Sequence, residues 1–87
     1  MFINGKWCAA DSGKTFEVTN PANGEKIADI PDGGQVDAAR AIKAAYDAFA
    51  GWSGMTAYDR SRILYKAYEL MSERKDDIAR TMTTEQG

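Results

Sequence analysis

The hydrophobic period of this chain changes once, near Gln35, and that change limits the folds open to it. Ahead of it, short apolar runs alternate with polar residues and are broken by glycine, proline and asparagine. Behind it, apolar residues recur every three or four positions, with one polar interruption at 72–77. Strands gathered at one end and helices at the other make an α+β class rather than a repeated βα unit. The chain reads as one segment, residues 1–87, with β-hairpins over 1–31 and helices over 35–51, 57–74 and 76–86.

In the strand part, "FI" and "KW" flank Asn4-Gly5, the dipeptide best suited to the two left-handed residues of a type I′ turn. A second pair, "TFEVT" and "KIADI", is joined by "NPANG", with Pro21 and Gly24 as turn residues. Phe16 and Val18 are expected on one face, with Ile27 opposite. Two hairpins this short do not stand in water unaided.

In the helical part, Ala38, Ile42, Ala45, Phe49 and Trp52 form one stripe expected to face a core, and Gly51 is expected to end that helix. Thr56 with Asp59 three residues on is a capping box opening a second stripe of Ile63, Ala67, Leu70 and Met71. The polar run "SERKDD" breaks the pattern, and Asp76 or Asp77 stands near the start of a third helix through Gln86. Trp7, Phe49 and Trp52 are large for elements this short to cover, so they are expected to need further chain.

Size and charge narrow the functional classes. At 87 residues and 44% apolar content, a chain buries only about 60–65% of its unfolded surface, which makes for a marginal core. The net charge of −2 comes from the first 34 residues, with three Lys against five acids; the remainder holds eight of each sign. No basic face emerges, which argues against nucleic-acid or anionic-membrane partners. No apolar run is long enough to span a bilayer. One cysteine permits no internal disulfide, so a cytoplasmic location is expected.

The absence of histidine excludes Ser-His, Cys-His and His-zinc chemistry. Cys8 lies beside Trp7 with no neighbouring base, so a structural thiol is favoured over a nucleophile. "DGGQVD" lacks the spaced glycines of a dinucleotide loop, and Asp32 and Asp37 would repel an anion there; Gly34 as a plain N-cap is the better account. Tyr58, Tyr65 and Tyr68 form either a binding patch or, more simply, packing surface. No residue here is a candidate for catalysis or cofactor binding.

Glu85 resists a simple reading. By helical spacing it shares the face of Ile78 and Met82, expected to turn inward, and it sits at the negative end of the helix dipole. An arginine, a metal ion or plain solvent exposure would each relieve its charge.

Taken in order, "FINGKW", "VTNPANGEKIADIP", "AIKAAYDAFAGWS", "DRSRILYKAYELM" and "DDIARTMTTEQG" resemble the N-terminal portion of the NAD(P)⁺-dependent aldehyde dehydrogenase superfamily, nearest its succinate-semialdehyde dehydrogenase branch. The resemblance covers essentially the whole chain. It implies a fragment of the α/β aldehyde dehydrogenase fold, part of a larger cofactor-binding domain, in an enzyme that oxidises an aldehyde to the carboxylic acid with NAD or NADP. It also implies the remainder of that chain as partner and a homo-oligomeric enzyme. "EQG" is usually followed by Lys-Pro, so Gly87 reads as a helix cap with a continuation. The family's catalytic cysteine, general-base glutamate and cofactor residues have no counterpart here, and none of these roles passes to Cys8. A monovalent cation site seen in many members falls on Val18, Thr19 and Glu85, where hard oxygen ligands suit Na⁺ or K⁺. The competing reading is a free-standing, non-catalytic interaction domain.

Overall fold

The computed structural model describes residues Met1–Gly87. Its elements are β1 (Phe2–Ile3), β2 (Lys6–Trp7), β3 (Thr15–Thr19), β4 (Lys26–Pro31), α1 (Gln35–Gly54), α2 (Ala57–Glu73) and α3 (Lys75–Gln86). The four strands make two separate antiparallel hairpins, β1 with β2 and β3 with β4.

Local chemistry sets the first hairpin. Asn4 and Gly5 take φ of 51° and 74°, the left-handed pair that a type I′ turn needs, and Phe2 then faces Trp7. Those two rings meet edge to face at 5.2 Å. The Met1 ammonium donates to the Cys8 carbonyl, and the Cys8 N–H to the Met1 carbonyl, both at 2.8 Å, which extends the pairing by one step.

In the second hairpin the Asn20 and Asn23 side chains accept from the N–H groups of Ala22 and Glu25 and hold the turn, with Gly24 at φ 75°. Phe16 pairs with Ile30 and Val18 with Ala28, but Thr19 pairs with Lys26. Ile27 is therefore the extra residue of a β-bulge and not the partner of Phe16 and Val18. Ala28 and Ile30 take that place, because the bulge shifts the register by one residue.

The helix boundaries are set by caps more than by glycine. Gly34 is the N-cap of α1, as the sequence suggests. Gly51, however, lies inside the helix, which runs on to Gly54. An interior glycine costs about 1 kcal/mol, too little to end a helix by itself. The chain turns extended at Met55, and Thr56 caps α2 by accepting from the Asp59 N–H at 3.1 Å. The polar break between α2 and α3 shrinks to one residue, Arg74, which caps both.

α1 carries two distinct faces. At about 100° per residue, Asp37, Ala41, Ala44 and Ala48 fall on one narrow ridge, and Phe2 and Ile3 of the first hairpin lie over its alanines. The stripe of Ile42 and Phe49 lies about a third of a turn away. It is not a core: Ile42 is 69% and Phe49 66% exposed, and Ile63 and Met71 on α2 are likewise open. Only Ala10 and Asp37 are buried. The reason is geometric, since small side chains let the hairpin approach closely and no element of this chain reaches the larger ones.

The outcome is an open frame of 47 × 34 × 15 Å. Its radius of gyration is 16.8 Å, against about 12 Å for a closed domain of this length. Its accessible surface is 7288 Å², about 2,000 Å² more than a compact monomer of its mass presents. Such a surface should drive the isolated chain to associate and to melt early and broadly. Sedimentation and melting across a concentration series check this; a concentration-independent monomer with a sharp, high-temperature transition would contradict it.

Candidate functional site

The most built site in the chain is the joint between the first hairpin and α1. Asp37, in the first turn of α1, is 4% exposed. Its Oδ2 accepts from the Gly34 N–H at 3.0 Å. Its Oδ1 accepts from the Asp11 N–H at 3.0 Å and from Arg40 Nη2 at 2.7 Å. One carboxylate thereby satisfies a helix N-terminus, a loop 26 residues upstream and a guanidinium.

The electrostatics follow from these bonds. The Gly34 N–H does most to hold the Asp37 carboxyl below its ordinary value; desolvation opposes it, and the Asp11 N–H and Arg40 add to it. Arg40 is raised in turn, chiefly by its bond to Asp37. In the sequence, Asp37 reads only as a charge that repels an anion. The structure shows it as the anion that fills the site. The spacing Gly34-x-x-Asp37-x-x-Arg40 was the available signal, since a carboxylate at N3 can reach back to the cap and across to an arginine one turn on.

Cys8 borders this joint. It is half-buried, in a cavity of about 460 Å³ whose charged lining is Lys6, Arg40, Lys43 and Asp47. Arg40 is held by Asp37 and Lys43 by Asp47. Each carboxylate here is thus engaged by a cation.

The three residues singled out for a cation sit at the other end. Val18 is half-buried, whereas Thr19 and Glu85 are exposed. The inward-facing carboxylate inferred from helical spacing is not observed: Met82 is 62% exposed, and Thr84, not Glu85, is the half-buried residue of that turn. Ile78 at the start of that face is half-buried, but nothing in this chain covers its Met82–Glu85 end, so spacing alone gives that end no inside. The end of α3 does adjoin the β3–β4 turn, because a β-carbon at Gly87 would lie 3.2 Å from Pro21 Cβ and from the Ala22 nitrogen. Gly87 has φ 80°, and its N–H caps the helix on the Thr83 carbonyl at 2.9 Å. No group of three or more acidic, cysteine or histidine side chains could hold a metal. Tyr65 and Tyr68 stack obliquely at 5.6 Å on an open face. No helix is long and apolar enough to cross a membrane.

Against this geometry, residues 7–87 match the aldehyde dehydrogenase family. The 3-sulfolactaldehyde dehydrogenase of Pseudomonas putida is 50% identical over 99% of this chain. The NADP⁺-dependent succinate-semialdehyde dehydrogenase of Escherichia coli is 46% identical over 98% of it. The crystal structure of succinate-semialdehyde dehydrogenase from Burkholderia pseudomallei superposes with a TM-score of 0.95 at 48% identity over 99% of the chain. In all three the chain spans 18% of the relative's length.

The joint has a pH signature. Asp37 has a depressed folded-state value, so its contribution is fully present above the ordinary value of 3.8 and is lost as pH falls through the lower folded value. Asp37→Asn puts an amide nitrogen against N–H donors and should lower the melting midpoint by several degrees at neutral pH, with the deficit vanishing in acid. Melts of both proteins between pH 7 and pH 2 check this; a constant difference across that range would refute it.

Proposed function

This chain belongs to the aldehyde dehydrogenase family, and from that we propose that it scaffolds the cofactor-binding domain of a dehydrogenase that oxidises a semialdehyde of the succinate type to its carboxylic acid. The observation that carries the reading is the backbone match at a TM-score of 0.95 by a frame too open to close on itself. A free-standing interaction domain is the weaker reading, since a surplus of about 2,000 Å² is costly for a domain that stands alone. The names of the relatives, 3-sulfolactaldehyde and succinate-semialdehyde dehydrogenases, support a substrate that carries an acid group beside its aldehyde. A cytoplasmic, homo-oligomeric enzyme is part of the same proposal.

NAD or NADP would supply hydride acceptance in that enzyme, but the residues present here do not fit a dinucleotide. The one glycine-preceded helix start is already filled by the Asp37 carboxylate, so a phosphate would meet a buried negative charge. No step of the reaction is assigned to this chain. The purified 87-residue chain, given cofactor and several semialdehydes, should produce no reduced nicotinamide; steady turnover abolished by Cys8→Ala would overturn this.

A Na⁺ or K⁺ site at Val18, Thr19 and Glu85 belongs to the proposal too. The bulge between Val18 and Thr19 interrupts the ladder where free carbonyls are needed, and the end of α3 stands beside the following turn. In an enzyme carrying this segment, Glu85→Ala should lower the melting midpoint in K⁺ or Na⁺ but not in a bulky organic cation. In the isolated chain, where Glu85 is exposed, the change should be at most about 0.5 kcal/mol. Equal effects in all salts for the full-length enzyme would remove the cation.

A further inference from the structure

We propose that the elbow between α1 and α2, anchored by Trp52 and Arg60, is where this segment seats on the rest of a dehydrogenase subunit, with Arg60 offering its guanidinium to an oxygen acceptor of that body. The inference rests on the family reading above and adds the surface and its anchoring residues.

Arg60 is half-buried at the start of α2 and takes part in none of the chain's ion pairs. Its Nε is shut away from solvent without an acceptor. Arg40, by contrast, is held by Asp37. A partly desolvated guanidinium without partners is an unfavourable arrangement, and the planar fork of N–H groups suits a carboxylate or paired carbonyls. Beside it, Trp52 is 37% exposed and shares a shallow cavity of about 290 Å³ with Ala57, Arg60, Ser61 and Leu64. Tryptophan and arginine around one small depression are the residue types that carry most of an interface's binding energy. The open Ile42, Phe49 and Ile63 side chains lie on the same two helices.

The occupant follows from two observations. The same backbone frame lies within a subunit of which it makes up 18%. The surplus of about 2,000 Å² of surface is also in the range of large permanent interfaces rather than transient ones.

The test grafts this chain in place of the matching segment of the E. coli succinate-semialdehyde dehydrogenase. The graft should be active. Arg60→Met should then shorten its half-life of heat inactivation by about tenfold, whereas Arg62→Met, an exposed neighbour, should change it less than about twofold. Arg60→Lys keeps the charge but not the fork. It should fall between, and it provides the readout if Arg60→Met does not fold. In the isolated chain Arg60→Met should leave both the melt and self-association unchanged.

Arg60 variants indistinguishable from Arg62→Met in an active graft would overturn the anchor and leave the family reading standing. Loss of self-association in isolated Arg60→Met would identify a second copy as the occupant and overturn the proposal. An inactive graft without a cooperative melt would overturn both readings.

Discussion

A single carboxylate organises the part of this structure that is closed. Asp37 holds the start of α1, the loop leaving the first hairpin and Arg40, and it does so while almost wholly removed from water. A buried charge is tolerable only when its lone pairs are engaged, and here three donors engage them. Because Asp11 is one of those donors, the hairpin cannot leave the helix without exposing an N–H and stripping the carboxylate. The orientation of β1 and β2 over the alanine ridge depends on that bond, as does the burial of Ala10 beside it.

Beyond that joint the frame is open, and α1 shows why. One ridge, of alanines, admits the hairpin closely; the other, of Ile42 and Phe49, meets nothing. A helix with apolar residues on two faces normally lies between two layers, of which this chain supplies one. The same holds for α2 and for the exposed Met82 on α3. An element whose apolar faces outnumber its neighbours is what a scaffold segment of a larger subunit should look like. The match to dehydrogenases over nearly the whole chain has the same physical content.

Features fixed by two to four adjacent residues were legible in the sequence. Asn4-Gly5 gave the turn, Gly34 and Thr56 gave the caps, and the period change gave the division into hairpins and helices. What depended on distant chain was not legible. Gly51 could not show that the cap of the next helix decides where α1 ends, and Ile27 could not show that a bulge would remove it from the paired face. Helical spacing picked out the stripe of Ile42 and Phe49 as the core face, whereas the ridge that has a neighbour is that of Ala41, Ala44 and Ala48. Glu85 failed for that reason, since an inside exists only where something covers it. Asp37 was underread because its partner Asp11 is far away in sequence, although its bonds to Gly34 and Arg40 were within reach of local reasoning.

The central claim, that one buried carboxylate ties hairpin to helix, is tested most directly by hydrogen exchange at the Asp11 amide. That N–H lies in an otherwise exposed loop, and its acceptor is the Asp37 side chain. The account predicts slow exchange at Asp11 and Gly34 in the wild type, and loss of that protection in Asp37→Ala while the amides of the β3–β4 ladder stay protected. Exchange at Asp11 as fast as in an unstructured loop in the wild type, or protection unchanged in Asp37→Ala, would contradict it.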